Sequence, residues 1–197
     1  MKRLENVDMR QYTSFKAGGC AREMAIVESV EELQAVLKEI HSENKKWLML
    51  GNGSNTLISD KGFDGLVVKL GDSFADVKVE EDGLTCGTAA LMSVVAKIAL
   101  RESMTGFEPL SGIPGSLGGA VFMNAGAYDG EMKDIVEYVD IVSRDGSEVR
   151  RVKGEDMDFS YRHSILEESG DVAVSVKLKM PKGDIDAIAA MMQDLLK

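Results

Sequence analysis

The chain has 197 residues, 44% of them hydrophobic, enough for a sizeable core in one domain or two small ones. A net charge of −10, with no basic run longer than Lys45-Lys46 or Arg150-Arg151, argues against a nucleic-acid partner, because tracking phosphates needs clustered cations. No stretch of about 18 apolar residues occurs, and MKRLENVDMRQ at the amino end carries no apolar core, so neither membrane span nor secretory signal is expected and the location expected by default is cytoplasmic.

Cys20 and Cys86 are too far apart for a CxxC motif and too few for a zinc site, so they read as small core or loop residues. Ser29-Val30-Glu31-Glu32 has the form of a capping box, and Val30, Leu33, Leu37 and Ile40 recur at helical spacing, which predicts an amphipathic helix over 30–43 with His41 on its polar face. WLML (47–50) reads as a short buried strand running into GNGSN (51–55), and GLVVKL (65–70) as a second strand. Helix, strand, glycine loop and strand make a small α/β unit over residues 1–70.

From residue 71 to 183 the pattern becomes α+β with mostly antiparallel pairing. DVKVEEDGLTCG (76–87) predicts a hairpin turning at Asp82-Gly83, and residues 89–102 a helix with Leu91, Val94, Val95 and Ile98 inward. VEYVDIVSRDGSEVRRV (136–152) predicts a second hairpin turning at Asp145-Gly146. In DVAVSVKLKM (171–180) the alternation puts Val172, Val174, Val176, Leu178 and Met180 on one face and Ala173, Ser175, Lys177 and Lys179 on the other. Over 184–197, Asp184 caps a last helix with Ile185, Ile188, Met192 and Leu195 along one stripe. An apolar stripe there either packs back on the molecule or leads toward a further segment, and the second is the expectation.

Two glycine-rich loops carry the chemistry. Gly51-Asn52-Gly53-Ser54-Asn55 leaves a strand end with little side-chain bulk, so main-chain N–H groups can converge on an anion. PLSGIPGSLGGAVFMNAGAY (109–128) adds Gly112, Gly115, Gly118, Gly119 and Gly126, in neither G-x-G-x-x-G nor G-x-x-x-x-G-K-[ST] spacing. Either loop alone reads equally as a tight turn; two in one short chain favour a nucleotide ligand.

YTSFKAGG (12–19), LGNGSNTLISDKGFDGLVV (50–68), FEPLSGIPGSLGGAVFMNAGAYDGE (107–131) and FSYRHSIL (159–166) together resemble the UDP-N-acetylenolpyruvoylglucosamine reductases. The resemblance runs in order from about residue 10 to the end and implies an α+β, two-subdomain FAD-binding fold of the vanillyl-alcohol-oxidase type. It also implies FAD as cofactor, NADPH as hydride donor and a UDP-sugar as substrate, with no protein partner. By that resemblance Gly51, Asn52, Gly53, Ser54 and Asn55, with Gly112, Ile113, Pro114, Gly115, Ser116, Gly118 and Gly119, cradle the diphosphate and neighbouring groups, while Asn124, Gly126 and Ala127 lie along the flavin. Arg162 matches the residue that meets the substrate carboxylate and Tyr161 a substrate neighbour; a permanently charged, forked guanidinium suits a carboxylate that gains negative character as hydride adds.

In the family a serine and a glutamate from a third domain complete the reaction. No serine motif of that kind follows the last helix, and neither Ser160, Ser164 nor His163 takes its place, so FAD binding with little full turnover is the expectation. Two other readings are a stand-alone flavin carrier and another oxidoreductase of the same FAD class, such as a sugar or alcohol oxidase. Against the latter, no histidine motif for covalent flavin attachment is visible.

Overall fold

A four-stranded sheet in the order β1-β2-β4-β3 occupies residues 2–70 of the computed structural model, which describes residues 1–195. β1 (Lys2–Asp8) and β2 (Cys20–Val27) pair antiparallel, and β2 and β3 (Trp47–Met49) both lie parallel to β4 (Phe63–Leu70). The crossover between β2 and β3 is α1 (Val30–Ser42), as the apolar spacing predicts. Ser29 caps it, its Oγ accepting from the Glu32 N–H at 3.2 Å, but the Glu32 carboxylate reaches back one residue further than in a capping box, to the Glu28 N–H at 2.8 Å. β1 has no sequence signal of its own because it is an edge strand on which only Val7 is buried, leaving no apolar alternation to read.

A five-stranded, wholly antiparallel sheet ordered β10-β9-β11-β6-β5 follows. β5 (Val77–Glu80) and β6 (Gly83–Gly87) form the first hairpin, whose turn is Glu81-Asp82, since Gly83 already pairs with Glu80; the expected turn was one residue late. α2 (Met92–Arg101) buries Met92, Val95, Ala96 and Ala99 and leaves Leu91 and Val94 exposed, so its inner face is rotated from the one expected. Two alanines there let the helix approach the sheet closely, a choice that a stripe of large residues does not reveal. α3 (Leu117–Phe122), the two-residue strands β7 (Gly126–Ala127) and β8 (Gly130–Glu131), and the hairpin of β9 (Val136–Val142) with β10 (Val149–Lys153) come next.

α4 (Leu166–Ser169) precedes β11 (Val172–Lys179), the central strand. Its alternation is not unbroken. The register with β9 shifts between Ala173 and Ser175, and this bulge exchanges the faces: Val172 and Val174 join the core around α1, whereas Ala173, Val176, Leu178 and Met180 join the core under α2 and α3. Lys177 is buried against the edge hairpin, where Glu80 and Asp82 each accept a bond from its ammonium at 2.6 Å.

α1 is the joint between the two sheets. Leu33, Val36, Leu37 and Ile40 pack in one cluster with Val27, Leu66 and Val68 of the first sheet and Val142, Val172 and Val174 of the second. Gln34 Nε2 also donates to the Gly146 carbonyl in the β9–β10 turn at 3.1 Å. α5 (Ile185–Leu195) is capped by Asp184, whose carboxylate accepts from the Ala187 N–H at 2.9 Å, and it packs back against α2 and the turn Glu108–Leu110 through the buried Ile188. Ile185, also expected on the buried stripe, is exposed, and the last two residues of the expected C-terminal segment lie outside the described residues. No described helix is long and apolar enough to cross a membrane.

Candidate functional site

The first glycine loop begins where β3 stops pairing: Leu50 N–H still donates to the Val68 carbonyl at 2.9 Å, and the chain turns at Gly51. Gly53 has φ +66°, and a Cβ there would run into the Tyr12 carbonyl oxygen, so both backbone and space require glycine. Ser14 N–H donates to the Gly53 carbonyl at 3.0 Å and fixes the loop from below. Ser54 Oγ donates to the Pro114 carbonyl, also at 3.0 Å, and so ties the first loop to the second.

The second loop is less open than its five glycines imply. The N–H groups of Leu117 and Gly118 are spent on the Ala90 and Thr88 carbonyls at 2.8 Å, and a Cβ on Gly118 would press the Thr88 side chain at 2.9 Å. Gly118 is thus needed for packing as much as for any ligand. Among the described residues, the N–H groups of Gly53, Ser54, Asn55, Ser116 and Gly119 find no acceptor in the protein. Gly115, at φ +140°, directs the chain so that Ser116 and Gly119 face the first loop, and Ser116 Oγ stands where a Cβ on Gly51 would be.

Between the loops lie two cavities of about 460 and 630 Å³ that share Gly51, Asn52, Asn55, Ser116, Gly119 and Arg162 among their linings, forming a continuous cleft between the sheets. Each is within the usual size of a small-molecule site, roughly 300–1,000 Å³. Of the expected contact residues, Gly51 to Asn55, Ile113 to Ser116, Gly118, Gly119, Gly126 and Arg162 line the cleft. Gly112 and Ala127 do not, and neither does Asn124.

Asn124 is fully buried, and its amide serves the protein itself. Nδ2 donates to Glu131 Oε2 at 3.1 Å and to the Ser160 carbonyl at 2.9 Å, and Oδ1 accepts from the Lys133 N–H at 2.9 Å. The polar residue among apolar neighbours is therefore a tie between three loops, set behind the cleft wall.

One of those loops carries Arg162. Ser160 and His163 exchange main-chain bonds at 3.2 Å across a two-residue turn, and Arg162 takes the left-handed position in it, φ +56°. Its Nη2 donates to the Gly126 carbonyl at 3.0 Å, which holds the guanidinium over the cleft. Tyr161 is 83% exposed, with its ring centre 5.5 Å from that guanidinium. His163 is clasped by Glu167 at 3.2 Å, Glu168 at 3.5 Å and Asp158 at 3.7 Å, and the bond to Glu167, with the three negative charges, raises its pKa above the ordinary histidine value. Ser164 is buried, its Oγ donating to the Phe122 carbonyl at 2.6 Å, so it is not free for proton transfer.

Sequence reasoning passed over several lining residues. Met123 and Ala125 lie in the quoted motif without being singled out there, and Lys69, Leu91 and Phe122 line the larger cavity from β4, the residue ahead of α2 and the end of α3. The exposure of Leu91 and Phe122, two large apolar residues, is explained by this position at the cleft mouth. Lys69 is half-buried, and burial lowers the pKa of its ammonium below the ordinary lysine range. Cys20 is exposed and Cys86 buried, its thiol pushed up to about 12 by burial, and neither lines the cleft.

Residues 21–151 match the FAD binding domain family. The chain is 41% identical over 187 residues to the UDP-N-acetylenolpyruvoylglucosamine reductase of Clostridioides difficile, covering 95% of this chain and 61% of that protein. The crystal structure of the corresponding reductase from Thermus caldophilus superposes with TM-score 0.82 at 32% identity, over 98% of this chain and 67% of that one. A VAO-type flavoprotein from Myceliophthora thermophila, 15% identical over 83% of this chain and 32% of its own, shares the fold with TM-score 0.61. The chain thus spans about three fifths of that curated relative, 61% of its length. A glycine-lined cleft between a mixed and an antiparallel sheet, the matched FAD-domain profile and the ordered likeness to the reductases lead to one assignment: the chain belongs to the UDP-N-acetylenolpyruvoylglucosamine reductase family, within the FAD binding domain class.

Proposed function

We propose that the cleft holds FAD and that the chain is the FAD-binding part of an NADPH-dependent reductase converting UDP-N-acetylglucosamine enolpyruvate to UDP-N-acetylmuramate in the cytoplasm, for peptidoglycan synthesis. The observation that carries the reading is the bond from Ser54 Oγ to the Pro114 carbonyl, which fastens two side-chain-poor loops across one cleft with unspent N–H donors on both. The residues present fit the group. An extended dinucleotide needs two connected compartments with anion-seeking donors, and the two cavities meet at Gly51, Ser116 and Gly119. Gly53 cannot carry a side chain without striking the Tyr12 carbonyl, and one on Gly51 would displace the Ser116 hydroxyl, so the main chain stays bare where a diphosphate would approach.

Bound FAD supplies hydride transfer, with NADPH as the source of reducing equivalents. The chain's own contribution is binding and charge placement. Arg162, kept over Gly126 and permanently protonated, offers a forked positive group to a substrate carboxylate, and Tyr161 stands exposed beside it as a substrate neighbour. A guanidinium held at the cleft rim by the Gly126 carbonyl serves a substrate anion and has no use in a simple flavin carrier, which favours the reductase over the carrier reading.

Purified chain incubated with FAD is expected to retain about one flavin per protein after gel filtration, with its spectrum shifted from that of free FAD. Arg162→Met should leave that retention intact, and in the chain extended to its relatives' length should cut enolpyruvyl reduction by roughly 10²–10³-fold. A wild-type protein that folds but takes up no FAD overturns the reading, and an active Arg162→Met variant overturns the role of Arg162.

A further inference from the structure

Lys69 and Lys177 are both drawn into the fold, and they are treated differently. Lys177, 3% exposed, has carboxylates of Glu80 and Asp82 at 2.6 Å. Lys69 is half-buried on β4 and has no carboxylate within ion-pair distance among the described residues. Its hydrogen-bond partner among the described residues is the Gly51 carbonyl, which accepts from Nζ at 2.8 Å. An ammonium carries three N–H donors, so two remain. They sit where the larger cavity meets the first glycine loop, and the cavity wall around them includes the apolar Leu50, Leu70 and Leu91. The nearest negative charge that acts on it is Asp72, which forms no ion pair with it, so a half-buried cation against apolar surface gains from an anion that comes into direct contact.

The carboxylates that line the same cavity do not serve that end. Glu167 is engaged by His163, and Asp171 by the Arg150 guanidinium at 2.7 Å and the Arg144 N–H at 2.9 Å. The basic side chains lining the cleft are Lys69 and Arg162, on a protein whose net charge of −10 repels anions at long range.

Resting on the reading that the cleft holds a dinucleotide, we propose that Lys69 binds a phosphate of that ligand and makes the site selective for phosphorylated nucleotides over their uncharged counterparts. Main-chain N–H groups of the glycine loops supply shape and directional bonds; Lys69 supplies net charge. Its grip on the Gly51 carbonyl keeps the amine at the loop whether or not a ligand is bound, which reduces the ordering cost of binding.

The test compares the wild type, Lys69→Met and Lys69→Arg for FAD affinity by flavin fluorescence, and for ADP and adenosine by competition with FAD. Lys69→Met should weaken FAD and ADP by roughly 10–100-fold, the loss of one charge-assisted hydrogen bond, while adenosine changes little. Lys69→Arg should recover part of the loss. Equal weakening of ADP and adenosine would mean that Lys69 merely holds the loop, and unchanged FAD and ADP affinities would mean that it touches no phosphate; both overturn the proposal. A wild type that takes up no FAD would instead remove the reading on which the proposal rests.

Discussion

Asn124 and Arg162 share a left-handed backbone, φ +42° and +56°, but for opposite reasons. Asparagine tolerates that region, and three hydrogen bonds hold it there. Arginine does not favour it, and the conformation persists because the Ser160–His163 bonds on either side and the Gly126 carbonyl at the tip leave no alternative. His163 reinforces the turn from outside through its three carboxylate neighbours. Because its folded pKa is raised above the ordinary 6.5, its stabilising effect is complete below the unfolded value and disappears as pH rises through the folded one. His163→Gln should therefore lower the melting temperature at about pH 5.5 and converge with the wild type toward about pH 8.5. A difference that stays constant over that range would show that the imidazole acts by shape and not by charge. Residue types announced the glycines and the family resemblance announced the arginine, whereas the inward turn of Asn124 was not legible, because its partners lie 7, 9 and 36 residues away.

α1 and β11 show where local pattern suffices and where it stops. The helix followed from four apolar residues at regular spacing and a serine cap, all within one short segment. That its buried face touches both sheets did not follow, since period says which side is apolar and not what covers it. Leu37 is fully buried between them, close enough to the β9–β10 turn that a Cβ on Gly146 would lie 3.1 Å from its own. Leu37→Ala should cost about 2–5 kcal/mol by the cavity it opens, read from urea unfolding. Loss of both sheets in a single transition is expected; two separate transitions would show that α1 does not couple them. In β11 the apolar alternation is real on each side of the bulge, but the extra residue near Val174 is imposed by pairing with β9, an interaction between segments about thirty residues apart. For the same reason α2 is rotated from its expected face: the small Ala96 and Ala99 seat it on the sheet, and Leu91 is left for the cleft.

Neither sheet contains the cleft; it exists because α1 holds one against the other and Ser54 reaches Pro114 across the gap. A ligand filling it contacts both halves and should stabilise the molecule as a unit. At FAD concentrations near 100 times Kd, the linkage is worth about 2.7 kcal/mol, which for a chain of this size is a rise of roughly 5–10 °C in melting temperature. Calorimetry with and without FAD measures it, and an unchanged Tm in protein that demonstrably carries flavin would place the flavin outside the cleft. Sequence by itself determined α1, α2 and the last helix, the strands β3 to β6 and β9 to β11 in order, the two bare loops, and through four ordered motifs the family and its cofactor, since each of these is written in neighbouring residues, whereas the short α3, β7, β8 and α4 left no such pattern. Tertiary structure alone decided which glycines line the site and which only pack, that Asn124 faces inward, that the last helix folds back, and that Lys69 stands at the cleft with no ion pair among the described residues. Those depend on contacts between distant segments, and distance along a chain carries no record of which surfaces will meet.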